Sequence, residues 1–262
     1  MSQTAPDSGN PDIPEPQPWS LRVDEVSEVT PSMRRIRFVS AEGAPDIGGL
    51  RCLPGQDMAI GVPVGDGTVV RRRYTIRAFD AGAGTLDADF VMHGDGPAAR
   101  WAAGATPGQV VEVVAPRGKI LVDRTAAWHL FAGDDSAIPV TSVMVAALPS
   151  GSRATVVLEV ESESDEQPIG APEGVGLEVT WLHRSKAGVA PGEGNLLLRT
   201  LEEIALADQE TGHAYLAGEF STVQAMRKAL AGRGLDQAAI SPKPYWRLGR
   251  RNLSHGEPDR GD

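Results

Sequence analysis

Cysteine is almost missing from this sequence: its 262 residues include one, Cys52. A single thiol cannot form an internal disulfide, a Cys-rich zinc site or a Cys-ligated iron–sulfur cluster. Cys52 is therefore read as a small packing residue, and the lack of disulfides fits a reducing cytoplasm. Long apolar runs are missing too. None approaches the ~20 residues of a membrane span. The start, Met1–Pro18, has no basic stretch followed by an apolar one, so it is not read as a secretion signal. Positive charge is in deficit, with 25 Lys and Arg against 35 Asp and Glu and a net charge of −10. That balance argues against nucleic acid and anionic membranes as partners. A local basic cluster, Arg71-Arg72-Arg73, stands out the more for it.

What remains is the composition of a soluble globular protein, 41% hydrophobic and 23% charged. The length allows one large or two small domains. Residues 1–18 carry Pro6, Pro11, Pro14, Pro16 and Pro18 among polar groups, and 251–262 are similarly polar. Both read as disordered tails.

Residues 19–123 read as β. Ile36 and Phe38 alternate with Arg35 and Arg37, and Val111 and Val113 flank Glu112, the period of half-buried strands. Turn signals stand at Leu53-Pro54-Gly55, Gly65-Asp66-Gly67 and Pro107-Gly108. Short strands at this spacing predict an antiparallel barrel, interrupted by one helix opening at Pro97. From residue 124 to 250 the pattern changes. Apolar strands at His129–Ala132, Thr155–Leu158, Leu177–Leu182 and Tyr215–Ala217 alternate with helical spacings at Val140–Leu148, Leu198–Ile204 and a helix capped by Ser221. Alternation of this kind predicts a parallel sheet with crossover helices.

The sharpest chemical feature is Arg72-Arg73-Tyr74-Thr75-Ile76-Arg77. An arginine can grip a pyrophosphate through two charge-assisted hydrogen bonds. A tyrosine ring can stack on an isoalloxazine, and a threonine can hydrogen-bond flavin N5. Along a strand, Arg73 and Thr75 share one face and Arg72 and Tyr74 the other. The same residues also suit an exposed edge strand whose arginines discourage aggregation. About twenty residues later comes Asp89-Phe90-Val91-Met92-His93, then Gly96-Pro97-Ala98-Ala99-Arg100-Trp101. Here a strand runs into a glycine turn, and Pro97 suits the first position of a helix whose start faces an anion with free N–H groups. His93 is equally readable as a core histidine. Two anion grips and one aromatic platform match a flavin dinucleotide.

Two further stretches belong to the second half. Gly133-Asp134-Asp135-Ser136-Ala137-Ile138-Pro139 follows its first strand, in the crevice where nucleotides bind open α/β sheets. It lacks the three spaced glycines of the usual dinucleotide loop, and a plain strand–helix connection would look the same. Gly218-Glu219 ends a later strand at the same edge. Tyr245-Trp246-Arg247-Leu248-Gly249 is either a packing plug or a place where Trp246 meets the flavin and Arg247 a substrate anion. The acidic run Glu159, Glu161, Glu163 leans toward NADH over NADPH, though a solvated loop would read alike.

In this order, these stretches resemble the siderophore-interacting proteins, a branch of the ferredoxin-reductase-like flavoproteins. The resemblance covers about residues 20–250. It rests on Arg72, Tyr74, Thr75 and Arg77; on Asp89, Phe90, Val91, His93, Gly96, Pro97, Ala98, Trp101 and Ala102; on Pro116-Arg117-Gly118; on Gly133–Pro139, with Ser136 where the family has threonine; on Ala217-Gly218-Glu219; and on Tyr245–Gly249. It implies an FAD-binding β-barrel followed by a nicotinamide-dinucleotide-binding-like α/β domain. It implies electrons passing from NADH, NADPH or a reduced ferredoxin through FAD to a ferric siderophore, with Tyr74 and Thr75 at the flavin. The expected cofactor shell is Arg72, Arg73, Tyr74, Thr75, Asp89, Phe90, Val91, His93, Gly96, Pro97, Ala98, Ala99, Trp101, Gly133, Asp135, Ser136, Glu219 and Trp246. No metal ligands are expected. Family members often carry a lysine in the strand after the proline-glycine turn, where this chain has Gly55-Gln56-Asp57-Met58-Ala59-Ile60. Arg51, Arg117 and Arg247 are the cations left to meet an anionic substrate. The departure keeps a second expectation open, a relative recruited to biosynthesis that reduces or cyclises an organic substrate. A third is an electron-transfer module without its own substrate. A monomer is expected.

Overall fold

The computed structural model describes residues 13–64, 67–92, 96–206 and 211–249. His93, Gly65-Asp66 and most of both expected tails lie outside the described residues.

The first half forms a seven-stranded antiparallel sheet curled toward a barrel. Its strands are β1 (Gln17–Thr30), β2 (Met33–Ser40), β3 (Asp57–Pro63), β4 (Val69–Thr75), β5 (Ala78–Asp80), β6 (Thr85–Val91) and β7 (Val110–Arg117), in the order β4-β3-β7-β1-β2-β6-β5. Alternation sets the inside. Leu21 and Val23 of β1, Ile36 and Phe38 of β2, Met58 and Ile60 of β3, and Leu86 and Phe90 of β6 are all fully buried. At ~25 cal/mol per Å2, packing such residues supplies most of the drive to close the sheet. β1 begins at Gln17, inside the proline-rich start, because Gln17–Arg22 pair with β7.

The sheet does not close by hydrogen bonds. β4 stands at one margin and β6 next to the other, and side chains bridge the gap. Tyr74 of β4 packs on Phe90 of β6 with ring centroids 4.1 Å apart, and Phe90 meets Trp101 of the helix α1 (Pro97–Ala103) at 5.6 Å. The seam of the barrel is thus aromatic.

The second half is a five-stranded parallel sheet of β8 (Trp128–Asp134), β9 (Arg153–Val160), β10 (Gly176–His183), β11 (Gly212–Glu219) and β12 (Ile240–Trp246), ordered β10-β9-β8-β11-β12. Its helices are α2 (Ile138–Val145), α3 (Arg184–Ala187), α4 (Leu196–Glu203) and α5 (Phe220–Gly232). α5 opens two residues before the position expected from Ser221. Glu219 caps it by accepting the Thr222 N–H at 2.9 Å. β12 is a strand the sequence does not announce. Pro242 and Pro244 lack an N–H, and such residues are tolerated in an edge strand with one unpaired side, which is where β12 lies. Among the described residues no helix is long and apolar enough to cross a membrane.

Candidate functional site

The seam collects the first two motifs. The β4 register opposite β3 pairs Tyr74 with Met58 and Arg72 with Ile60, while Thr75 pairs with Asp57 and Arg73 with Ala59. Arg72 and Tyr74 therefore share the face of buried Met58 and Ile60, and Arg73 and Thr75 the opposite one. Burial raises the Tyr74 phenol well above its ordinary value, so it stays neutral across the working pH range. Phe90 and Val91 stand at the end of β6, and α1 starts beside them with Gly96 as its N-cap and Pro97 in its first turn. Among the described residues no side chain caps that start, and none comes within 4 Å of where a Gly96 side chain would stand. Ala98 and Ala99 follow, with Ala98 buried, and Trp101 packs inward.

Arg73 and Asp89, two of the expected cofactor residues, are held in two-pronged ion pairs. Arg73 forms a two-pronged bond to Asp57 (Nε–Oδ1 2.9 Å, Nη2–Oδ2 3.0 Å). Asp89 holds Arg35 the same way (2.6 and 2.8 Å). Arg77 reaches the same carboxylate only at 3.6 Å, and its buried Nε has no hydrogen-bond acceptor. Burial lowers the Arg77 pKa, and Arg35 lowers it further. An unsatisfied buried donor of this kind costs about 1–3 kcal/mol. A cationic, donor-rich wall beside an aromatic seam and an open helix start fits the pyrophosphate and ring of FAD. Arg72, Tyr74, Thr75, Arg77 and the start of α1 are the residues that would hold it.

A second cluster joins the two sheets. Asp57, 1% exposed, also accepts Lys243 of β12 at 2.9 Å, and Arg117 pairs opposite it in register. Gly118, with φ +94°, lies against this group. A Cβ there would stand 3.3 Å from the Asp57 carboxylate and 3.7 Å from Lys243 Nζ, so glycine serves both the turn and the close approach. Lys243 was not foreseen. It comes from the unannounced strand and reaches the stretch where the family's lysine is missing. Arg51 is exposed, and Arg247 stacks over Phe220 at 4.8 Å.

The third cluster lies at the carboxyl edge of the parallel sheet. Gly133 packs so tightly that a methyl would collide with the Ala217 carbonyl and with Ala137. Asp134, next to it, is a hub absent from the expected site. It accepts hydrogen bonds from Ser136 N (3.0 Å) and Oγ, from Glu219 N (2.8 Å) and from the Trp246 indole N–H (2.8 Å). Gly218, at φ +130°, leaves room for that carboxylate. Ser136, Glu219 and Trp246 are thus brought together as expected residues, but around an aspartate, and Trp246 is held on the α/β half rather than at the seam. Asp135 is 3% exposed and binds Arg184 Nη2 at 2.9 Å. Arg184 also faces Glu161 at 3.3 Å and Glu159 at 3.6 Å. Burial, with Asp134 and Asp135 nearby, raises the Glu159 pKa to about 7 despite Arg184.

Known proteins share this arrangement. The siderophore-interacting FAD-binding domain model matches residues 49–120, and the siderophore-interacting protein model matches residues 126–249. Ferric vibriobactin reductase ViuB of Vibrio cholerae is 33% identical over 191 residues, which are 72% of this chain and 68% of that protein. A siderophore utilization protein from T. fusca superposes with a TM-score of 0.80 at 32% identity, covering 93% of this chain and 98% of that one. The ferredoxin reductase of carbazole 1,9a-dioxygenase shares the fold, with a TM-score of 0.71 at 17% identity over 90% of this chain and 71% of that one. The barrel with its FAD-type seam, the parallel sheet behind it and these likenesses lead to one conclusion: this chain belongs to the siderophore-interacting protein family.

Proposed function

We propose that the chain is an FAD-dependent reductase that takes electrons from a nicotinamide dinucleotide and delivers them to the ferric iron of a siderophore. The observation that carries this reading is the family match running through both halves, 49–120 and 126–249, on a structure whose seam gathers Arg72, Tyr74, Thr75 and the start of α1. The reductase named ViuB, matched at 33% identity, supports the substrate class.

Bound FAD supplies the conversion of a hydride pair into single electrons. The residues do the rest. Arg72 and the α1 start neutralise the diphosphate. Tyr74, held against Phe90 at 4.1 Å, presents a ring to the flavin plane. Thr75, buried beside Asp57, orients the edge of the ring. Arg73, Arg117 and Lys243 around Asp57 give the barrel–sheet junction a positive balance that suits an anionic chelate. Reduction of two ferric ions by one NADH yields two ferrous ions, NAD+ and one proton. Ferrous iron is held far less tightly by the hard oxygen ligands and leaves. The carboxyl edge of β8, β9 and β11 is the place for the nicotinamide nucleotide.

The test is direct. Purified protein is loaded with FAD, given NADH and a ferric siderophore without oxygen, and followed by ferrous-iron capture and flavin absorbance. Iron release that depends on FAD and nucleotide together is expected. A flavin that bleaches while the ferric chelate stays intact refutes the substrate class.

A further inference from the structure

We infer that the carboxyl edge of the parallel sheet rejects the 2′-phosphate of NADPH, because its cations are already paired with a larger number of carboxylates, so that the donor is NADH. The inference rests on the reading above that a nicotinamide nucleotide binds at this edge.

In an open α/β sheet the adenosine ribose lies near the end of the second strand. An acidic side chain there bonds a free 2′-hydroxyl, whereas an available arginine accommodates a 2′-phosphate. Here the second strand of the parallel sheet is β9, flanked by β8 and β10. The cations past the ends of β9 and β10 are Arg184 and Lys186, with His183 as a third when protonated. None is open. Arg184 is 2% exposed and faces Asp135, Glu159 and Glu161. Lys186 is bonded to Glu163, and His183 Nε2 lies 2.7 Å from Glu166. Five carboxylates thus meet two permanent cations. Among the described residues Arg247 also lies toward this edge, stacked on Phe220 after β12, and β12 is the far margin of the sheet from β10.

Arg184 is the group a phosphate would need, since its planar fork matches phosphate oxygens. Its Nη1 is buried and makes no hydrogen bond, yet the side chain cannot swing out without stranding Asp135 and Glu159, both under 9% exposed. Leaving buried carboxylates unpaired is strongly unfavourable. The raised Glu159 pKa agrees with this crowding. A phosphomonoester of charge about −1.5 to −2 would enter a corner already in negative excess. Repulsion between like charges about 4 Å apart near a protein surface is worth about tenfold in affinity or more.

Calorimetric titration with ADP-ribose and with 2′-phospho-ADP-ribose tests this without relying on electron transfer. A parallel anaerobic mix with NADH reports flavin bleaching. The wild type should bind ADP-ribose at least about tenfold more tightly than its 2′-phosphate. The double variant Glu161→Gln/Glu163→Gln removes two exposed charges and should shrink that gap severalfold. Equal binding of the two probes by the wild type overturns the preference and leaves the nicotinamide reading intact. A gap unchanged in the variant overturns the assignment to these carboxylates. No binding of either probe together with no bleaching overturns the nicotinamide reading itself.

Discussion

At the barrel seam arginine is in excess: Arg35 and Arg77 share one carboxylate, Asp89. At the carboxyl edge of the parallel sheet the ratio is reversed, with Arg184 alone among Asp135, Glu159 and Glu161. Both places are mostly buried, so neither charge is well screened. The first has donors left over, as the unbonded Arg77 Nε records. The second has acceptors left over, as the proton affinity of Glu159 records. A polyanionic cofactor fits the first environment, and a ribose hydroxyl fits the second. The difference teaches that one chain can set donor excess and acceptor excess side by side, each suited to a different part of the proposed electron path.

The harshest way to break the comparison is to remove the one cation from the acidic edge. Arg184→Met leaves three carboxylates facing one another, two of them buried. Breaking a buried ion pair from one side costs about 3–5 kcal/mol. Urea unfolding of the variant should show a loss of that size. A loss under 1 kcal/mol would mean that the carboxylates neutralise themselves by taking up protons, and that Arg184 does not organise the edge.

The matching cut at the seam is Arg72→Ala. A charge-assisted hydrogen bond to phosphate is worth about 1.5–3 kcal/mol, so FAD affinity, read by quenching of flavin fluorescence, should fall about tenfold to a hundredfold. Arg73→Ala should act differently. Its guanidinium is engaged by Asp57, so this substitution should lower stability more than FAD affinity. If Arg73→Ala weakens FAD as much as Arg72→Ala, the two faces of β4 do not divide the work in the way the register indicates.

These contrasts mark where the sequence was legible. The barrel and the parallel sheet could be read because alternation in Ile36-Arg37-Phe38 and the unbroken run Thr155–Leu158 report burial on one face and on two. The seam's residues fall in two compact stretches, Arg72–Arg77 and Asp89–Trp101, which is why the sequence could group them as one expected flavin site. Asp134 as a hub could not, because its partners Glu219 and Trp246 come from the ends of two strands far along the chain. Arg184 drew no expectation, since nothing local signals that three carboxylates from elsewhere converge on it. Lys243 was hidden between two prolines in a strand that only the sheet order reveals.

The acidic edge also makes a prediction about pH. The fold favours the neutral form of Glu159, whose pKa rises from 4.5 to about 7. The native state therefore binds more protons than the unfolded chain between about pH 4.5 and 7. The stabilisation is fully present below that window and is lost as pH rises through it, with a slope of at most about 1.4 kcal/mol per pH unit. Glu159→Gln should keep the low-pH stability and flatten the decline. Denaturant midpoints at pH 5, 6, 7 and 8 check this, and an unchanged slope in the variant would place the titrating group elsewhere.

The smallest expected effect lies between the two regions, at Lys243. Its ammonium joins β12 to the barrel through Asp57 at 2.9 Å, but Arg73 holds the same carboxylate with two bonds. Lys243→Met therefore leaves Asp57 paired, and its apolar stem can still pack beside Tyr245. The cost should be about 1 kcal/mol, the net worth of one hydrogen-bonded contact. Lys243→Met combined with Arg73→Met strands Asp57, which is 1% exposed, and should cost clearly more than the two single losses added together. Coupled residues in one ion network give such non-additive sums. Strict additivity in the double variant would mean that the lysine and the arginine act separately.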